Sequence, residues 1–136
     1  MKKFFVLVGL IIFCSSCSVD DDGLRFRYEL SPIVDVEIPD TFEFGFVYDI
    51  PITYLRESSC HGFEGFENIR RDSTRTVAVV STVIEDDTCE PLLDDLRTVS
   101  FPFEVLFSQT YVFNFYQGDD ENGEPIYLTK MVPVKE

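Results

Sequence analysis

The residues best able to do chemistry lie in one stretch, ESSCHGFEGFENIRRDST, which spans residues 57–74. It holds the only histidine of the chain, His61, with Ser58 and Ser59 just before it. In a nucleophilic site a histidine takes the serine proton, and an acid orients the histidine. The spacing places no such acid, and neighbouring side chains on an extended chain diverge. We therefore predict no catalytic residue; a small hydrolase using the 57–74 loop is the alternative.

Pairs of acids could in principle act as the two carboxylates of a glycosidase. Glu64 with Glu67, and Asp86 with Asp87, are such pairs. That chemistry depends on the separation of the carboxylates in space, and any acidic chain supplies pairs of this kind. We interpret these acids as solvated.

A second acidic run, residues 119–124, carries oxygen ligands that suit calcium. With Gly123 at the sixth position of a calcium loop, Gly118 falls first and Thr129 twelfth, which fails the EF-hand pattern. We predict no metal site and no cofactor, and weak calcium binding at 119–124 stays open. An acidic hairpin tip is the simpler interpretation.

The body of the chain reads as short strands. "LRFRYEL" alternates strictly from Leu24 to Leu30 and predicts a half-buried strand, while "RTVAVVSTVI", residues 75–84, is β-branched on both parities as in a central strand. Asn122-Gly123 chemistry predicts a hairpin between the last two strands. We expect seven or eight strands, no confident helix and one domain, residues 24–136, arranged as a sandwich or a barrel.

The link between the strands, residues 57–74, is the longest, and loops on rigid sheets often carry binding. We predict His61, Phe63 and Phe66 as possible ligand contacts. The alternative is that the two phenylalanines pin the loop to the sandwich.

The run Thr110-Tyr111-Val112-Phe113 resembles the start of the penultimate strand of immunoglobulin-like domains, where a tyrosine closes a corner two residues before a core position. This resemblance implies an immunoglobulin-like β-sandwich. A small β-barrel is the alternative.

The N-terminus has the pattern of an export signal. Lys2 and Lys3 precede ten residues that are apolar apart from Gly9, about 15 Å of helix and half of a roughly 30 Å hydrocarbon core. Ser15-Ser16-Cys17 then resembles a bacterial lipobox. The resemblance implies that residues 1–16 are removed and that Cys17 is acylated, anchoring the protein in the membrane. A soluble secreted protein is the alternative.

The acids after that cysteine, Asp20 to Asp22, resemble the export signal of Bacteroidota lipoproteins that reach the outer face of the outer membrane. This resemblance implies a lipidated, acidic tether over residues 17–23 and display at the cell surface; a periplasmic orientation and a plain solvated spacer are the alternatives. Asp72-Ser73-Thr74 is similar to a Bacteroidota O-glycosylation acceptor at Ser73 or Thr74.

Of the four cysteines, Cys60 and Cys89 are left once the signal and the anchor have taken the other two. In an oxidising compartment they are most simply a disulfide. The rival interpretation makes Cys60, His61 and Cys89 metal ligands, but a fourth ligand and a short cysteine spacing are lacking.

The charge limits the partners. The mature chain would carry nine basic against 25 acidic residues, a net charge of 9 − 25 = −16, which repels nucleic acid. As a whole the chain resembles small flavobacterial outer-membrane lipoproteins. We expect a non-enzymatic binding or accessory module of the cell envelope with an envelope protein or glycan as ligand. A hydrolase, a protease-inhibitor-like module and a purely structural role are the alternatives.

Overall fold

The computed structural model describes Cys17 and residues 23–136, and ten strands lie in this part of the chain. The predicted signal peptide, residues 1–16, and most of the predicted tether, residues 18–22, lie outside the described residues. The strands are β1 (Phe26–Ser31), β2 (Ile33–Val36), β3 (Phe42–Glu43), β4 (Val47–Leu55), β5 (His61–Arg71), β6 (Thr74–Ile84), β7 (Leu96–Glu104), β8 (Tyr111–Asp119), β9 (Pro125–Val132) and β10 (Val134–Lys135).

The larger sheet is built around β6. The hairpin partner β5 covers one edge of β6 over its whole length. The other edge is divided, because β1 pairs antiparallel with residues 79–84 and β8 pairs parallel with residues 74–77. Strand β9 then continues the sheet beyond β8. Strand β6 therefore has a neighbour on both sides, as predicted for a central strand.

A second sheet, in the order β2-β4-β7, packs against the first. Side chains from both sheets form one core, in which Phe103 lies 5.0 Å from Phe113 and 4.9 Å from Tyr111 between ring centroids. Strands β3 and β10 add a short parallel pair. The described residues form no closed barrel, so the predicted all-β sandwich is confirmed. No helix among these residues is long and apolar enough to cross a bilayer.

Tyr111 closes a corner at the start of β8. Its side chain is fully buried, and its hydroxyl oxygen accepts hydrogen bonds from the backbone N–H groups of Leu106 at 3.0 Å and Phe107 at 2.9 Å. Phe113, two residues on, is equally buried. Both features match the corner expected from the sequence, whereas the parallel pairing of β6 with β8 departs from the antiparallel sheets of immunoglobulin domains.

The prediction of a loop over residues 57–74 was wrong, because most of this segment is the eleven-residue strand β5. The sequence did not indicate this strand, because Gly62, Gly65 and a mixture of charges interrupt the alternation of apolar and polar residues. The side-chain pattern of β5 does not indicate a strand. Its backbone nevertheless forms a regular ladder of hydrogen bonds with β6. Only the turn at residues 72–73 connects the two strands.

Strand β1 lies where the alternation predicts, but its apolar face points outward. Phe26, Tyr28 and Leu30 are exposed, whereas Glu29 is half-buried and Ser31 is buried. The register explains this: the odd residues of β1 pair with Val79, Ser81 and Val83, which form the inward face of β6. The alternation therefore predicted the strand correctly but did not determine which of its two faces is buried.

Candidate functional site

A disulfide between Cys60 and Cys89 joins the start of β5 to the link between β6 and β7. The two Cα atoms are 5.5 Å apart, well within the range of a disulfide. The predicted disulfide is thereby confirmed. A metal site made of Cys60, His61 and Cys89 is excluded, because both sulfur atoms are bonded to each other.

A tight turn before β5 sets the position of His61. The His61 backbone N–H donates to the Ser58 carbonyl oxygen at 3.2 Å, and the Cys60 N–H donates to Ser58 Oγ at 3.2 Å. An isolated bridge between Ser58 and Pro91 attaches this turn to the link carrying Cys89. The hydrogen bonds within the turn and the bridge to Pro91 together fix the position of His61 at the start of β5.

The His61 side chain is buried, with 7% of the residue exposed, and both of its ring nitrogens have partners. Nδ1 lies 2.6 Å from Ser58 Oγ, and Nε2 lies 2.9 Å from Glu29 Oε2. Glu29 reaches the histidine from the opposite side of β6, since Arg27 and His61 both pair with Val83. The sheet register therefore joins an acid, a histidine and a serine that are far apart in sequence.

Arg27 sets the charge state of the acid in this group. Its guanidinium donates to Glu29 Oε1 at 2.8 Å, and this hydrogen bond, followed by the one to His61, lowers the pKa of Glu29. An ionised carboxylate can only accept hydrogen bonds, so the proton in the 2.9 Å contact belongs to His61 Nε2. Ser58 Oγ accepts from Cys60 N–H and shares one further hydrogen bond with His61 Nδ1.

A cleft of about 450 Å³ opens beside this group. It is bounded by the start of β5, the ends of β1 and β6, and the disulfide link, and its lining residues are Arg27, Ser58, His61, Val83, Ile84, Glu85, Asp86, Asp87 and Cys89. Its size falls within the usual range of ligand pockets, about 300–1,000 Å³. Three consecutive acids on one wall outnumber the one basic lining residue, Arg27, which lies 3.8 Å from Glu85, so the lining carries an excess of negative charge.

The contacts of Ser58 and His61 resemble those of a serine nucleophile and its base, with Glu29 as the orienting acid. A nucleophilic site also needs N–H donors for the developing oxyanion. The N–H groups of Ser59, Cys60 and His61 donate to Glu90, Ser58 Oγ and Ser58 O respectively. These three N–H groups are therefore already engaged within the protein and do not point to an oxyanion site. The neighbouring acids Glu85, Asp86 and Asp87 would also repel an oxyanion.

Glu29, Glu57 and His61 form the one group of potential metal ligands found in the described part of the chain. Their ligand atoms lie within 4.8 Å of one another, and Nε2 is 4.0 Å from Glu57 Oε2. The guanidinium of Arg27 on the other oxygen of Glu29 opposes a metal here, because it places a positive charge beside the site and occupies one carboxylate oxygen.

The other two predicted contact residues face the space between the sheets. Phe66 packs against Phe101 at 5.0 Å, and Phe63 lies between Phe66 at 5.3 Å and Tyr54 at 6.1 Å, measured between ring centroids. Phe63 remains 42% exposed at the margin. This placement agrees with the alternative in which both rings attach the segment to the sandwich.

The acidic tip predicted at residues 119–124 is a hairpin turn. Asp120 Oδ1 accepts from the N–H groups of Asn122 at 2.8 Å and Glu124 at 2.9 Å, and Asp119 accepts from the Tyr116 hydroxyl at 3.1 Å. The two carboxylates hold the turn itself. The residues predicted as an O-glycosylation acceptor, Ser73 and Thr74, lie where the turn between β5 and β6 ends.

No protein-family model, curated protein sequence or solved structure matches the chain.

Sequence reasoning named His61 as a possible ligand contact, considered Ser58 only for the hydrolase alternative, and missed Glu29 and Arg27. The polar side of β1 was the available signal: Arg25, Arg27 and Glu29 alternate with apolar residues. Only the register of β1 and β5 on β6 shows that this side meets His61.

Proposed function

We propose that the protein is a membrane-anchored, non-enzymatic binding module of the bacterial cell envelope, with acyl chains on Cys17 and its ligand site in the cleft beside His61. The observation that carries the proposal is this cleft of about 450 Å³, whose shape is held by the disulfide and by the Ser58-His61-Glu29 contacts. A pre-formed concave site of this size is typical of binding proteins.

The charge of the cleft indicates a cationic ligand. Glu85, Asp86 and Asp87 lie together on one wall, Arg27 offsets one of these three charges, and the whole chain has a formal net charge of −14. Such a field attracts positively charged partners and raises their association rate. Of the two ligand classes expected from the sequence, a basic segment of an envelope protein fits this charge better than a neutral glycan.

Binding can be tested on the mature acylated protein with a Lys-Gly repeat peptide and a neutral Ser-Gly repeat peptide of equal length. We expect the basic peptide to bind, to lose most of its affinity in the Glu85→Gln/Asp87→Asn variant, and to weaken with added salt. The matched control, Glu121→Gln/Glu124→Gln, removes two charges at the exposed hairpin tip. Equal losses in both variants, or binding only to a glycan array, would contradict a cationic ligand at this cleft.

The anchor is tested separately. Mass analysis of the N-terminal peptide from envelope preparations should find a chain that begins at Cys17 and carries acyl groups. Protease treatment of intact cells should then remove the domain if it faces the outside. An N-terminus at any other residue would remove the lipid anchor from the proposal, and a domain protected until the outer membrane is opened would place it on the periplasmic side.

A serine hydrolase is the second candidate, and the 2.6 Å contact between Ser58 Oγ and His61 Nδ1 is the observation that favours it. The two candidates separate cleanly with a fluorophosphonate probe, which labels activated serines. We expect no labelling of Ser58 in the folded protein. Labelling that disappears in Ser58→Ala and in His61→Gln would overturn the non-enzymatic assignment.

A further inference from the structure

The outward face of β1 carries a strip of apolar side chains. Phe26, Tyr28 and Leu30 are 55%, 60% and 40% exposed, and Ile84, which pairs with Phe26, is 39% exposed. The rings of Phe26 and Tyr28 are in contact, with centroids 5.7 Å apart. We call these four residues the β1 strip. A contiguous exposed apolar surface of this kind marks a contact site more often than isolated apolar residues do.

The charged residues of β1 are kept off the strip by the strand geometry. Arg27 and Glu29 lie on the opposite face, where they bond to each other and Glu29 also bonds to His61. Thr82, which pairs with Tyr28, presents only a hydroxyl between the strip and β5, and this hydroxyl donates to Glu64 at 2.9 Å. The strip is therefore uncharged, with an acid at one margin.

The strip is also close to Cys17 along the chain. Leu24, which is 79% exposed, leads directly into β1 and stands seven residues after Cys17. Seven residues span at most about 24 Å when fully extended. If Cys17 carries acyl chains, the β1 strip is confined to the neighbourhood of the bilayer surface.

We propose that the β1 strip lies against the phospholipid surface that holds the acylated Cys17, so that the domain rests on the membrane in one orientation. This inference depends on the acyl anchor of the proposed function. Aromatic and aliphatic side chains are favoured at the boundary between headgroups and acyl chains. A short tether maintains a high effective concentration of the strip at the bilayer, which a second, freely diffusing copy of the chain does not have.

The charges near the strip select the kind of lipid. Glu85, Asp86 and Asp87 follow Ile84 directly, and Asp20 to Asp22 lie in the tether. These acids are repelled by anionic headgroups, so a zwitterionic surface is the one that the strip contacts.

A tryptophan reporter tests the contact, because the chain has no tryptophan of its own. The full acylated protein carrying Phe26→Trp is reconstituted into phosphatidylcholine vesicles with brominated acyl chains, which quench nearby tryptophan. We expect the emission to fall about twofold or more relative to unbrominated vesicles, since an interfacial side chain sits roughly 5–10 Å into the boundary. Replacing half of the lipid with phosphatidylglycerol should reduce the quenching.

The matched control is Met131→Trp. Met131 is 68% exposed on the same outward face, but it pairs with Val112 beside Thr74, at the opposite end of β6. Ten residues of strand separate the two positions, about 33 Å. Quenching of the Phe26→Trp protein alone supports the proposal. Equal quenching at both positions, or none at either, overturns it.

Two further outcomes separate this inference from the anchor. A Phe26→Trp emission that is blue-shifted but unquenched shows the strip covered by protein and overturns the bilayer contact. Mass analysis of the same sample reports the acyl groups. Acylated Cys17 with unquenched emission would contradict the membrane contact and still support the lipid anchor. An unacylated N-terminus would contradict both.

Discussion

The hydroxyl of the buried Tyr111 satisfies two backbone donors at the margin of the core. Exchanging this tyrosine for phenylalanine keeps the ring and leaves the N–H groups of Leu106 and Phe107 without their acceptor. We expect Tyr111→Phe to lower the free energy of unfolding by about 1–3 kcal/mol, because two hydrogen bonds are lost and each typically contributes about 0.5–1.5 kcal/mol. Urea denaturation followed by circular dichroism measures this change.

The control for that variant is Tyr127→Phe. Tyr127 is 42% exposed on β9, so the loss of its hydroxyl should leave the midpoint almost unchanged. A Tyr111→Phe protein as stable as this control would show that the corner bonds contribute little.

Glu29 makes the stability depend on pH. Hydrogen bonds from Arg27 and then His61 lower its pKa in the folded state below the ordinary value of 4.5. Its ionised form therefore stabilises the fold above that value, and the contribution is lost as the pH falls through the lowered folded pKa. We expect Glu29→Gln to be less stable than the natural protein near neutral pH, with the difference closing in acid.

Urea titrations from about pH 7 to about pH 3 measure this difference. Arg27→Leu provides the comparison, because it removes the largest cause of the lowered pKa and should flatten the acid loss. A constant gap between the natural protein and Glu29→Gln at every pH would contradict the role of the ionised carboxylate.

At the scale of elements, the disulfide constrains the segment between β5 and the link after β6. Cys60 and Cys89 are 29 residues apart in sequence. The chain-entropy estimate for a loop of this length is about 3–4 kcal/mol. We expect Cys60→Ala/Cys89→Ala to lose about this amount of unfolding free energy and to expose residues 85–95 to proteolysis.

Reductant supplies the control for the disulfide prediction. It should lower the stability of the natural protein to that of the double variant and leave the double variant unchanged. If the natural protein shows the same stability with and without reductant, the cross-link does not constrain the unfolded chain as expected.

The strands that sequence reasoning found are those with a strong side-chain pattern. The β-branched run of β6 and the alternation of β1 each signal a strand directly. Strand β5 was missed because Gly62, Gly65 and its mixed charges interrupt the alternation that signals a strand, although its backbone pairs with β6 throughout. Period-two alternation also does not indicate which face of a strand is buried. The exposure of Phe26 and Tyr28 follows from their pairing with the outward-facing residues of β6.

The candidate site was predictable in part for the same reason. His61 is conspicuous as the only histidine, and Ser58 lies three residues before it. Glu29 is 32 residues away, and it reaches His61 only because β1 and β5 flank the same end of β6. A contact of this kind depends on strand register, which a single sequence does not fix.

At the scale of the molecule, the charge imbalance opposes the compact state. The formal net charge is −14, and folding brings these charges together. We expect the free energy of unfolding to rise between about 0.01 M and 0.15 M salt, over which the Debye length falls from about 30 Å to about 8 Å. Urea midpoints in sodium chloride at fixed pH measure the effect, and a midpoint that falls with salt would show that attractive ion pairs dominate.

The divided edge of β6 has a consequence for the order in which the molecule assembles. One half of that edge bonds to β1, near the beginning of the chain, and the other half bonds to residues 112–115, near its end. While synthesis proceeds from the N-terminus, the second half stays open until β8 has emerged. A nascent chain stalled after β7 would therefore offer an unpaired strand edge to its neighbours, which makes the segment from β8 onward the part that protects the rest from aggregation.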